Sequence, residues 1–271
     1  VECEERNEVG IKPYTKEVKR VTVPANARLL RIDVEEREKK LYKFSNETEL
    51  NYMEGARYLG YGTGTPDDRV KAMMEDCSRQ ICSQANPRFV YRIFELTKDG
   101  QKIGLAGTTL HLSGNSIREH LDGCEHAILL CATLSDTIDR LIRKYEISDM
   151  AMAVIMDAMA GVAIEQVCDK AEDIIRNEYE KVYGKSYFTW RYGYGYGDLP
   201  LQEEKAALQL LESEKRIGVG ISDSLIMFPR KTVACIIGIS KTEIKSSRKG
   251  CISCNMRERC KFRQRGERCG F

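Results

Sequence analysis

The stretch Arg191-Tyr-Gly-Tyr-Gly-Tyr-Gly-Asp-Leu-Pro200 sets three tyrosines and three glycines in alternation behind an arginine. Glycine inside a core strand packs against nothing and costs backbone entropy, so the run reads as a ligand cradle before it reads as an ordinary strand. Glycines admit a planar group to the main chain and tyrosines offer flat faces and hydroxyls. Arg191 has the fork to clamp a carboxylate with two parallel hydrogen bonds. The plainer alternative is a tyrosine-rich edge strand or surface loop whose glycines mark a bulge or bend. Upstream, Asp157, Gly161 and Glu165 are spaced four apart and share one stripe of a helix, a carboxylate on either side of a gap. Gly161 calls for close approach by a neighbouring helix or by a ligand, since it weakens the helix relative to alanine. Acids and an arginine together suit a zwitterionic, amino-acid-like ligand.

A second constellation lies at the end of the chain: Cys251-x2-Cys254-x5-Cys260-x8-Cys269, four thiols within nineteen residues. A Cys-x-x-Cys grips one metal through a tight turn, and an all-thiolate set suits either structural zinc or a [4Fe-4S] cluster; the spacing leaves both open. Cys77, Cys82, Cys124, Cys131, Cys168 and Cys235 fall in apolar segments and read as small core residues. His111, His120 and His126 are the only histidines and have no partner at metal-ligand spacing. Nothing pairs as Ser-His-Asp or Cys-His, so no catalytic residue is assigned.

The elements that must position these groups follow from pattern. Residues 1–86 read as a charged N-terminal helical arm or cap, with helices expected over Glu47 to Leu59 and from the Asp67-Asp68 cap to about Cys82. From Pro87 strands take over: a hairpin of Arg88 to Leu96 and Ile103 to Leu112, then an apolar strand over Glu125 to Thr133. Between them Ser116 to Leu121 reads as a helix, and another runs from Ser135 to about Lys144. A long helix is expected from a Ser148 cap to about Val182, and a further one over 200–214 with proline in its first turn. Short strands are expected near Val219 to Ile221 and Thr232 to Ile239. Without regular strand–helix alternation the fold class is α+β, a mainly antiparallel sheet flanked by helices, followed by a short metal-binding tail. The divisions are 1–86, 87–245 and 246–271.

Composition bounds the function. Lys+Arg 43 against Asp+Glu 41 gives a net charge of +2, which lacks the excess of a nucleic-acid coat or membrane-surface protein. The bias is local: eight Lys or Arg and two acids between Arg248 and Arg268, a basic stretch able to meet an acidic partner. The acidic start Val1-Glu-Cys-Glu-Glu-Arg and eleven cysteines, an odd number, predict a cytoplasmic, thiol-bearing chain. The apolar run Met150 to Ile164, interrupted by Asp157, is expected to be a buried helix and not a membrane span.

An ordered series of motifs then carries a resemblance: Ala132-Thr-Leu, Asp157-Ala, Glu165, Arg191-x-Gly-x-Gly-Tyr196 and Pro200, followed by Leu211-Glu-Ser-Glu-Lys-Arg-Ile-Gly218 and Ser222-x-Ser224-x-x-Met227-x-Pro229. Over about residues 87 to 240 the chain resembles the activation domain of cobalamin-dependent methionine synthase. The resemblance implies binding of S-adenosylmethionine and reductive remethylation of a cobalamin that has slipped to cob(II). It implies a component of methionine synthase (methyltransferase) activity. Arg191 would pair with the ligand carboxylate, Gly193, Gly195 and Tyr196 would line its adenosyl and methionine portions, and Glu165 would face its cationic part. No Asp-x-His-x-x-Gly cobalamin segment is recognisable, so the expected partner is a corrinoid-carrying methionine synthase lacking its own activation domain. The electron would come from a flavodoxin or ferredoxin, relayed by a [4Fe-4S] cluster on the cysteine tail if iron and not zinc sits there. Gly195-Tyr196-Gly197 stands where the family reads Gly-Tyr-Pro, which predicts a looser turn. The competing reading is a non-catalytic binding module whose zinc-stapled basic tail holds a partner protein or nucleic acid.

Overall fold

Side-chain caps start the first two helices, the second at the expected Asp67 and the first at Asn51, later than the expected Glu47. In the computed structural model, which describes residues 50–62, 64–99, 102–244, 258–264 and 266, α1 spans Tyr52–Tyr58 with Asn51 accepting from the Glu54 amide. α2 spans Asp68–Gln84 with Asp67 accepting from the Val70 amide. The chain then enters β1 (Arg88–Asp99), turns back through β2 (Lys102–Leu105) and β3 (His111–Leu112), crosses in α3 (Asn115–His120) and returns as β4 (His126–Thr133). Every residue of β4 but His126 is buried. It is apolar from Ala127 to Ala132 because both of its faces are covered, where a half-exposed strand would alternate.

α4 (Asp136–Ser148) and α5 (Met150–Tyr183) follow. The expected Ser148 cap is displaced by one residue: Ser148 ends α4, its hydroxyl donating to the Lys144 carbonyl, and Asp149 caps α5 by accepting from the amides of Ala151 and Met152. An aspartate in extended conformation does this as well as a serine. At 34 residues α5 is long and apolar enough to cross a membrane by length and composition alone, yet 61% of its most apolar window is buried within the structure. It is the central helix of the core.

β5 (Tyr187–Phe188) and β6 (Tyr192–Gly193) precede α6 (Glu203–Leu211) and α7 (Ser213–Ile217). The helix expected over 200–214 is thus split. Glu212 takes a left-handed conformation (φ 52°) that no propensity scale anticipates. A small hairpin of β7 (Gly220–Ile221) and β8 (Met227–Phe228) leads into β9 (Thr232–Ser240), and a short α8 covers Lys261–Gln264.

The seven-stranded sheet has the order β3-β2-β1-β4-β9-β5, with β6 also pairing along β9, and every pairing is antiparallel. The expected α+β class is the one observed. One face carries α5, with α1, α2 and α4 packed into the same apolar cluster around Met156, Met159 and Ala163. The other face carries α3, α6 and α7 around Leu129, Leu208 and Leu211.

Candidate functional site

The site begins with a bulge. Between Phe188 and Tyr192 the chain takes four steps while its partner β9 takes three, from Ile239 to Ile236. The extra residue reverses the alternation: Phe188 packs with the cluster under the C-terminal half of α5, whereas Tyr192 packs on the α6 side. Thr189 closes the gap. Its amide donates to the Gly238 carbonyl (3.0 Å), its Oγ1 accepts from the Gly238 amide (2.8 Å), and the same oxygen lies 2.8 Å from His120 Nε2. Burial pushes the His120 pKa down to about 4, so that ring is neutral. Bulges re-aim side chains beside functional sites. Here the re-aimed side chain is Arg191, turned onto the α5 face.

There Arg191 meets three acids. Nη1 donates to Asp169 Oδ1 (2.8 Å) and Glu172 Oε1 (2.7 Å), and Nη2 donates to Glu165 Oε2 (2.8 Å). Glu165, Asp169 and Glu172 stand four and three residues apart, one face of α5 over two turns. Burial opposes the arginine's charge, but the carboxylates, Glu172 foremost, more than offset it and raise its pKa. Burial pushes Glu172 above the usual carboxylate range against the pull of Arg191. One guanidinium among three carboxylates leaves the cluster anionic. The Nε–H and one Nη2–H of Arg191 take no partner among the described residues.

The glycine–tyrosine alternation sorts by face. With Tyr192 on the α6 side, Gly193 lies on the α5 side beside Arg191, and a methyl group placed on it would meet nothing within 4 Å. Tyr192 is buried and donates to the Tyr196 carbonyl (3.2 Å); Tyr194 packs with it, its hydroxyl buried without a partner among the described residues. Both rings pack on the α6 side, away from Arg191, although the sequence offered the tyrosine faces of this run to a ligand. Tyr196 is half-buried and sets its ring edge-on to Trp190 (5.7 Å) and Tyr192 (5.3 Å). Gly195 has φ +77° and approaches Leu201.

The turn that follows is tighter than expected. Gly197 has φ +58°, and a methyl group there would come within 2.5 Å of Tyr192 Oη and 2.7 Å of Ser116. Proline, fixed near φ −65°, does not fit that conformation. Asp198 pins the turn to α3 by accepting from the amides of Asn115 (2.7 Å) and Ser116 (2.9 Å), bonds that lower its pKa.

Of the residues singled out by spacing, Glu165 and Arg191 meet on the α5 face with Gly193 beside them, while Gly195 approaches Leu201 and Tyr196 packs with Trp190 and Tyr192 on the α6 side. Asp157 does not join them: its carboxylate takes Lys231 Nζ at 2.9 Å and ties α5 to the start of β9. Gly161 serves helix approach, since a methyl group on it would lie 3.3 Å from the Tyr58 ring of α1. The 222–229 motif forms the β7–β8 hairpin, which packs Ile221 and Met227 on the α6 side. Asp169 and Glu172 were missed, although their spacing continues the Glu165 stripe and would have found them. Asp198 had no local signal, because its partners lie more than eighty residues upstream. Cys251, Cys254 and Cys269 lie outside the described residues; Cys260 is a free, partly buried thiol. Among the described residues no group of three or more His, Cys, Asp or Glu is arranged to hold a metal.

Residues 117–248 match the family described as vitamin B12 dependent methionine synthase, activation domain. A solved structure described as the MetH reactivation domain bound to AdoHcy is similar to this chain at 17% identity and a TM-score of 0.47, over 82% of this chain and 75% of that one. Among curated proteins nothing matches.

Proposed function

We propose, from the match of residues 117–248 to the vitamin B12 dependent methionine synthase activation-domain family, that this chain binds S-adenosylmethionine and presents its methyl group to a cobalamin held by a partner methionine synthase. The observation that carries the reading is the anionic Arg191 cluster beside the uncovered main chain of Gly193. A ligand with both a sulfonium and an ammonium leaves water at less cost where carboxylates face it. The two remaining N–H donors of Arg191 suit the ligand carboxylate, and the backbone around Gly193 and Gly195 lets a flat base approach. Tyr196 would border the ligand only at the far end of the loop, where its ring packs with Trp190 and Tyr192.

In this reading the cobalamin supplies the reactive metal centre, and the chain only binds and orients the donor. One electron from a flavodoxin or ferredoxin and one methyl group restore the methylated corrinoid and leave S-adenosylhomocysteine. We extend the proposal to the tail, where Cys251, Cys254, Cys260 and Cys269 would hold a [4Fe-4S] cluster or zinc. Four thiolates suit either; a cluster supplies single electrons and zinc does not. Iron, sulfide and zinc content of protein purified without oxygen decides between them. The cytoplasm is the proposed compartment.

The test is anaerobic mixing of this chain, S-adenosylmethionine, a one-electron reductant and a cob(II)alamin-loaded methionine synthase lacking its own activation domain. The methylated-corrinoid spectrum is expected to return only with both the chain and the ligand, and to fail with Arg191→Met. Ligand binding without any return of that spectrum would favour a binding module.

A further inference from the structure

α1 lies outside the matched residues 117–248, yet it runs along the same helix that carries the acid cluster. Two glycines bring it close. A methyl group on Gly55 would sit 2.5 Å from Met159 Sδ, and one on Gly161 would sit 3.3 Å from Tyr58 Cε2. Gly161 is one helical turn before Glu165, so the ring resting on it stands at the rim of the Arg191 cluster. The ring packs on Gly161 without being covered. Gly55 and Ala56 form the buried face of α1, while Tyr58 keeps 42% of its surface exposed. Burial and then the charges of Glu54 and Glu165 push its hydroxyl up to about 12, so it is a neutral phenol within electrostatic reach of Glu165. The ring already draws a cation, the Arg57 guanidinium 4.9 Å from its centroid.

An aromatic ring and a carboxylate one turn apart are the two groups that hold an onium ion: the ring by its negative face, the carboxylate by charge. We propose that Tyr58 is the aromatic wall for the sulfonium of the bound ligand, a binding residue by which the chain separates the charged methyl donor from its neutral demethylated product. The inference rests on the S-adenosylmethionine reading above. It adds a consequence: when the methyl group leaves, the sulfur loses its charge and with it the attraction to Tyr58 and Glu165, which favours release of the product.

The test is equilibrium binding of S-adenosylmethionine and S-adenosylhomocysteine to the full chain, compared as a ratio of Kd values. The wild type is expected to favour the charged ligand, and Tyr58→Leu to lower that preference by about fivefold, the size of one cation–π contact, with affinity for the neutral ligand unchanged. Tyr58→Phe is expected to keep the preference. A ratio unchanged in Tyr58→Leu, or both affinities falling together, would overturn the inference while leaving the binding reading intact. A wild type that binds neither ligand would instead overturn the binding reading, and this inference with it. If Tyr58→Leu does not fold, fluorinated phenylalanines at position 58 keep size and shape while draining the ring face. Progressive loss of the charged ligand alone is then expected, and indifference to fluorination would refute the role.

Discussion

Glu204 offers a prediction whose size follows from the structure. It lies in the first turn of α6 with 4% of its surface exposed, near Cys131 and the buried Tyr194 hydroxyl, and has no hydrogen-bond partner among the described residues. Burial alone pushes its pKa from the ordinary 4.5 up to about 7. The fold therefore prefers the neutral carboxyl. The stability this group contributes is fully present below pH 4.5 and is lost as pH rises through about 7. At about 1.4 kcal/mol for each pH unit between those values the full loss is about 3 kcal/mol, of which about 2.5 kcal/mol falls between about pH 5 and about pH 8. Glu204→Gln keeps the shape and removes the titration. Urea unfolding of both proteins at the two pH values is expected to show the wild type losing about 2.5 kcal/mol relative to the variant as pH rises. Parallel pH dependence in wild type and Glu204→Gln would refute the assignment of a buried, neutral-preferring carboxyl at this position.

Other outcomes follow from single contacts. Arg191→Met leaves three partly exposed carboxylates facing one another without their cation; after allowance for solvent, urea unfolding at neutral pH is expected to show a loss of about 2 kcal/mol that shrinks in acid. Gly197→Ala forces a side chain into a left-handed turn and against Tyr192 and Ser116, and is expected to cost at least about 1–2 kcal/mol in the same assay. Asp198→Ala removes the side chain that holds the first amides of α3 and is expected to cost about 1 kcal/mol, with faster amide exchange at Asn115 and Ser116.

Much of the fold was legible because local patterns and tertiary demands agree. Asp67 before a helical period, the turn between the apolar runs of β1 and β2, and the continuous apolar stretch of β4 each announce their element. Legibility ends where one residue's conformation is decided far away in the chain. The bulge at Thr189 to Arg191 depends on Gly238 and His120, and nothing in residues 187–193 alone tells which face Arg191 takes. The same bulge buries Tyr192, which local reasoning offered to a ligand, and turns the glycine face toward α5. β5 and β6, two residues each, are too short to carry a period. The site was half legible: Glu165 and Arg191 were found as separate signals, while their 2.8 Å pairing, and the part of Asp169 and Glu172 in it, required the sheet to be assembled.

The Arg191 cluster and its glycine-faced loop are the proposed S-adenosylmethionine site. Trp190, the only tryptophan in the chain, stands 5.7 Å from the Tyr196 ring within that loop and reports on it. Titration of the full chain with S-adenosylmethionine, followed by Trp190 fluorescence and checked by retention of methyl-labelled ligand in equilibrium dialysis, is the direct measurement. Saturable binding of one equivalent is expected, weakened at least about tenfold in Arg191→Met. Folded wild-type protein that retains no label, or that binds as well without Arg191, would contradict it.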